Sequence, residues 1–149
     1  MICDTIEEVK KNIARACGRV GRLPDEVKIV CVTKTIQTEK ILEAISCGIT
    51  DIGESRVQEA LGKYEMLHDK AAWHLVGHLQ TNKAKYAVRM FQLIHSVDSV
   101  KIAEAISQEA GKIGKVQEVL LEVNISGEET KYGFVKSQLI GAMEEIAKL

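Results

Sequence analysis

Residues 27–37 read VKIVCVTKTIQ. From Val27 to Thr33 the run is apolar enough for a buried strand, apart from Lys28, and its β-branched residues favour extended backbone. The run stops at Thr33, Lys34 and Thr35, and a helical pattern follows from Thr38 to Cys47, with Gly48 as its stop. The junction between strand and helix has no glycine. A dinucleotide-binding sheet carries its GxGxxG turn at this place, so that architecture lacks its signature here. Lys34 is therefore either a solvated strand end or a reactive amine placed where an apolar strand opens to solvent.

The same unit repeats along the chain. Strand patterns cover Val27 to Thr33, Ile49 to Gly53, Ala72 to Gly77, Leu93 to Val97 and Val116 to Ile125. Between them lie helical patterns from Thr38 to Cys47, Arg56 to His68, Asn82 to Met90, and Ser99 to Ala110 with Gly111 as a stop, and a last one runs from Val135 to Lys148. A helix from Thr5 to about Gly18 precedes them, with Thr5 and Glu8 in capping-box spacing, and the only proline, Pro24, follows it. Strands alternating with helices predict a parallel sheet, either open and doubly wound or closed as a (β/α) barrel. Polar residues gather at the ends of several strands: Lys34, Glu54, His78 with Gln80, Asp98, and Asn124 with Ser126. Function spread over many strand ends is the habit of a barrel's C-terminal face. The expected fold class is α/β, of the eight-stranded TIM-barrel type, with about five of the eight β/α units present.

Composition bounds the rest. A chain of 149 residues suits one domain with a core, and 46% hydrophobic with 28% charged residues is ordinary for a globular protein. A net charge of −1 gives no electrostatic case for nucleic acid or an anionic membrane. No apolar run reaches the roughly 18 residues of a membrane span, and the acidic amphipathic start does not read as a signal peptide. Cys3, Cys17, Cys31 and Cys47 form no CxxC pair. Cys17, Cys31 and Cys47 fall in helix and strand patterns and read as small core residues, which points to a reducing, cytoplasmic setting.

Each polar strand end has a plain reading and a functional one. A reactive Lys34 needs desolvation or a cationic neighbour. Glu54 orients a site or sits at a helix N-terminus, and the second is preferred. In WHLVGHLQTNKAK, residues 73–85, Gly77 admits a close backbone approach and His78, Gln80, Asn82 and Lys83 follow it, more hydrogen-bonding groups than a turn needs. Asp98 and Ser99 compete as a helix cap. A metal site from His74, His78 and His95 is disfavoured, because two of them belong to a strand and its exit rather than one helix face. The polar tract LEVNISGEETKYGF, residues 121–134, carries a second candidate amine, Lys131.

The segments VTKT, GESRVQE, WHLVGHLQTNK, HSVD and VNISGEETKYGF occur in the order and spacing of one family. Nearly the whole chain resembles the YggS/PROSC family of pyridoxal 5′-phosphate (PLP)-binding proteins, whose fold is that of the alanine racemase N-terminal barrel. The resemblance implies that Lys34 holds PLP as a Schiff base. It also implies that Ser55, Asn82 and His78 lie near the cofactor ring, and that Lys131 is a secondary amine site. Two departures are small: Ser55 replaces the family's usual asparagine, and Leu75 its phenylalanine or methionine. The third is large, because family members continue through three more strands that form the phosphate cup.

The resulting expectation is one domain over residues 1–149: a partial PLP-binding barrel with an N-terminal helix, lacking the last three strands. Its function would be cytoplasmic PLP homeostasis without catalysis, with binding weakened by truncation. Two other functions stay open. One is a PLP-dependent racemase or Schiff-base lyase, although Tyr64, Tyr86 and Tyr132 all fall in helical or loop patterns away from a matching strand end. The other is a non-binding fragment that self-associates through its open barrel edge. The partners expected are PLP and further copies of the chain, with no nucleic acid, no membrane and no metal.

Overall fold

The computed structural model describes residues 1–149. Five strands form one parallel sheet: β1 Val30–Val32, β2 Asp51–Glu54, β3 Ala72–Leu75, β4 Leu93–Val97 and β5 Glu118–Leu121. The helices are α1 Ile2–Val20, α2 Thr38–Ser46, α3 Val57–Leu67, α4 Ala84–Met90, α5 Val100–Lys112 and α6 Leu139–Ile146. A two-residue extension, β6 Val123–Asn124, pairs in parallel with β7 Phe134–Val135. No helix is long and apolar enough to cross a membrane.

The strand order is β1-β2-β3-β4-β5, each strand beside its sequence neighbour. A doubly wound sheet would reverse direction at a switch point. Here the order never reverses, so successive right-handed crossovers put every helix on the same face, as in a barrel wall. Each helix from α1 to α6 packs against the next in the chain. The fold is thus five consecutive β/α units of a TIM-type barrel.

Strand alternation gives the two faces of this wall opposite fates. Ile52, Trp73, Leu75 and Ile94 point toward the helices and are fully buried with Ile41, Ala60, Leu67, Ala87 and Ile106. On the other face the register lines up Val32, Gly53, His74, Leu93 and Glu118. No helix covers it, and Val32 and Leu120 remain 47% and 48% exposed.

Helix ends differ from expectation in two places, and a third settles between two candidates. The first helix begins at Ile2, so Thr5 lies inside it and its hydroxyl donates to the Met1 carbonyl (3.2 Å) instead of capping. Gly111 sits within α5, and the chain turns at Gly114, whose φ is 64°. Ser99, not Asp98, caps α5 by accepting from the Ile102 amide (3.4 Å).

The cysteine reading also needs correction. Cys3 and Cys47 form a disulfide, with Cα atoms 5.3 Å apart, because α1 docks against the end of α2. Cys17 and Cys31 are free, and burial pushes the Cys31 thiol up.

Candidate functional site

Because the strands are parallel and in order, the segments after β1 to β5 meet along one edge of the sheet. Lys34 lies there in the turn after β1. Thr33 donates its amide to the Gly53 carbonyl (2.8 Å), and the Ile36 amide closes the turn on the Thr33 carbonyl (3.1 Å). Thr35 sits at the third position of this turn with φ 62°. A β-branched residue there costs about 1–2 kcal/mol, so something must hold it.

That something is a buried ion cluster beneath the turn. Lys63 of α3 donates to Glu54 (2.7 Å), to Glu59 (2.8 Å) and to the Thr33 carbonyl (2.8 Å). The Thr33 hydroxyl donates to the same Glu54 oxygen (2.6 Å), and Glu59 accepts the Thr35 amide. Burial opposes the charge on Lys63, but the two carboxylates outweigh it and raise its proton affinity. Lys63 and the Thr35 amide hold Glu59 below the usual carboxylate range. Lys34 itself is exposed, and its amine makes no hydrogen bond or ion pair.

The next two strand ends touch directly. At Gly77 a Cβ would stand 2.2 Å from the Ser55 carbonyl oxygen, so only glycine permits this approach. His78 then bonds Asp98 after β4 (2.9 Å), and its ring stacks on Tyr132, with centroids 3.8 Å apart and planes 12° from parallel. The loop carrying Tyr132 is shaped by Asn124. Its side-chain amide donates to the Glu128 and Lys131 carbonyls, and its oxygen accepts from Gly127. Lys131 pairs with Glu128 (2.7 Å).

Of the five residues singled out in the sequence, contacts link the Ser55 segment to the Gly77–His78 turn, and His78 to the loop of Lys131. Lys34 stands on the adjacent strand end without a side-chain contact to the others. Asn82 is exposed in the short 3-10 turn Thr81–Lys83 before α4. Glu54 caps no helix; it is fully buried beneath α3.

Three features escaped the sequence reading. Lys63 looks like a solvent-facing helix residue, yet it shares a stripe with Val57, Ala60 and Leu67, and that spacing was the available signal. Tyr132 reaches the strand-end edge by stacking, which loop periodicity does not reveal. The open face carries a relay: Lys28 (2.8 Å) and His74 (2.9 Å) both bond Asp51, and His74 bonds His95 (2.9 Å). Both nitrogens of His74 are thereby engaged, while His78 is bonded to Asp98, so the three imidazoles do not converge on a metal. Burial would raise the Asp51 carboxyl, but bonds from Lys28, Thr50 and His74 bring it below its ordinary range. Burial, then the neighbouring His74, lowers His95.

Residues 5–149 match the family described as "Alanine racemase, N-terminal domain". A pyridoxal phosphate homeostasis protein of Aquifex aeolicus is 46% identical over 132 residues, covering 88% of this chain and 58% of that protein. A crystal structure of an unknown protein from Bifidobacterium adolescentis superposes with a TM-score of 0.92 at 36% identity, over 99% of this chain and 64% of that one. PipY of Synechococcus elongatus, solved with PLP bound, gives a TM-score of 0.78 at 34% identity, over 92% and 64%. The chain therefore spans about three fifths of the length of these relatives. It belongs to the family of the alanine racemase N-terminal domain, and within that family it is similar to the pyridoxal phosphate homeostasis proteins.

Proposed function

We propose that this chain binds pyridoxal 5′-phosphate as a Schiff base on Lys34 and serves cytoplasmic PLP homeostasis rather than catalysis. The observation that carries this reading is the free, exposed Lys34 amine on an otherwise clamped turn at the strand-end edge. An unpaired amine fits the aldehyde end of PLP. Lys34 would hold PLP through an imine, its neutral amine giving both hydrogens to the aldehyde oxygen, which would leave as water. When bound, the cofactor supplies an electron-accepting ring conjugated to that nitrogen. In this reading Ser55, His78 and Asn82 flank the ring, with His78 oriented by Asp98 and backed by Tyr132. Lys131, held by Glu128, is a secondary amine site.

Residues 1–149 act in this reading as one partial barrel with an N-terminal helix, and the three closing strands lie outside this span. Phosphate contacts from those strands would tighten binding, so affinity for the 1–149 chain is expected to be low. Other partners are further copies of the chain at the open sheet, with no nucleic acid, membrane or metal. In a reducing cytoplasm the Cys3–Cys47 bond would open, leaving α1 docked through Ile2 and Ile6, which pack on the core. One observation favours a second reading, a racemase or lyase: Tyr132 brings a phenol beside His78.

The test is an absorption spectrum of the protein mixed with PLP, followed by borohydride reduction and peptide mapping. Label concentrated on Lys34 and lost in Lys34→Ala supports the proposal. Label scattered over surface lysines, with no imine band, overturns it. Exchange of the α-hydrogen of an amino acid for deuterium, dependent on Lys34 and Tyr132, would favour the enzyme reading.

A further inference from the structure

We infer that the buried cluster Glu54, Lys63 and Glu59 is a positioning device for Lys34, fixing the backbone on both sides of it while leaving its amine free. The inference rests on the proposed role of Lys34, but its geometry stands apart from any cofactor. The residue before Lys34 is held three ways. The Thr33 hydroxyl donates to Glu54, its carbonyl accepts Lys63 Nζ, and its amide is bonded to β2. The residue after it is held by Glu59, which takes the Thr35 amide. Lys34 is thus a single free side chain between two anchored peptide units.

The cluster is more than a surface ion pair. The Glu54 side chain is 0% exposed and that of Lys63 10%, so both charges are removed from water and must find partners. Glu54 Oε1 takes two donors, whereas Oε2 has none. Burying a carboxylate with one unpaired oxygen is unfavourable for stability alone, and an apolar pair would fill the space without that cost. What apolar side chains could not do is bond the Thr33 carbonyl and hold Thr35 in a left-handed conformation that threonine disfavours. The positive φ at Thr35 sets the exit direction of the turn. The cluster and the backbone outlier therefore explain each other, and the consequence is a fixed orientation of the Lys34 Cα–Cβ bond at the strand-end edge. Glu54, Glu59 and Lys63 touch no ligand in this scheme; they act through the peptide units flanking Lys34.

Two measurements test this separately from the PLP assignment. The first needs no cofactor: amide hydrogen exchange of Thr35, followed by NMR. The expected result is protection in the wild-type chain, lost by at least tenfold in Glu59→Ala and in Lys63→Met while β2 and β3 amides stay protected. Free exchange of Thr35 in the wild type, or unchanged protection in both variants, overturns the inference. The second is the visible circular dichroism of the PLP imine, normalised to borohydride-trapped label on Lys34. Lys63→Met should keep the label but reduce the signal per label about threefold or more, and Lys63→Arg should restore part of it. An unchanged signal per label in Lys63→Met also overturns the inference. If Lys63→Met unfolds, Glu59→Ala, which removes a partly exposed carboxylate, carries both measurements. Should the wild type take no label on Lys34, the cofactor reading fails while the exchange experiment still decides the positioning role.

Discussion

At the scale of single residues, the sequence makes Lys34 conspicuous because an amine ends an apolar run. It hides Lys63, because a lysine in a helical pattern ordinarily faces water, and only the buried Glu54 on another element shows otherwise. Removing one partner of such a pair leaves the other charge buried and uncompensated. Lys63→Met should therefore lower stability by about 3 kcal/mol, read as a reduced urea midpoint with an unchanged slope. Gly77→Ala meets the Ser55 backbone, which cannot rotate away, so we expect a loss of about 2 kcal/mol or more in the same assay. The relay on the open face gives stability a pH dependence. His95 binds its proton less readily when folded, so below its ordinary value of 6.5 the unfolded chain takes up the proton first and stability falls. Asp51 and Glu59, both held low when folded, add a second loss of the same sign as pH drops below about 4. Urea midpoints at pH 7.5, 5.5 and 3 should decline in order, and His95→Asn should flatten the first step alone.

At the scale of elements, the order and kind of every helix and of the five principal strands were legible, because each unit pairs an apolar run with a helical stripe. Their ends were less so. The Thr5–Glu8 spacing predicts a cap, yet packing of Ile2 against the core extends α1 beyond it. Gly111 resembles a stop, but Ala110 buries beside it and α5 runs on to Lys112 before the chain reverses at Gly114. The disulfide was not legible at all. Cys3 and Cys47 are 44 residues apart, and only the docking of α1 on α2 brings them together. Denatured protein purified without reductant should show two titratable thiols, rising to four after reduction. Opening a loop of this length removes about 3–4 kcal/mol of chain-entropy stabilisation, so reduction should lower the melting temperature. If four thiols titrate without reductant, α1 is held by packing alone.

At the scale of the whole molecule, the decisive observation is a wall with helices on one side. Five parallel strands in sequence order bury the outer face of their three central members, while the inner face keeps Val32 and Leu120 about half exposed beside the Asp51–His74–His95 relay. Neither β1 nor β5 has a strand partner on its outer side in this sheet. Unpaired parallel edges next to apolar surface are the combination that drives association, and neither Val32 nor Leu120 brings the charge that would oppose it. The barrel type could be read from strand ends because polar side chains there have no structural reason to recur. The open side followed only from the resemblance, which implies three further strands, since a strand that packs on closing neighbours and one that meets solvent have the same alternation. We therefore expect the 1–149 chain to self-associate, with a sedimentation coefficient that rises with concentration. Leu120→Lys should shift it toward the monomer, because an ammonium at that position is hydrated in the free sheet and desolvated in any face-to-face contact. A control charge on the helical side, at the exposed Leu61 of α3, should leave the association unchanged. If both variants sediment as the wild type does, the inner face is not where copies meet, and the free strand edges become the surface to probe.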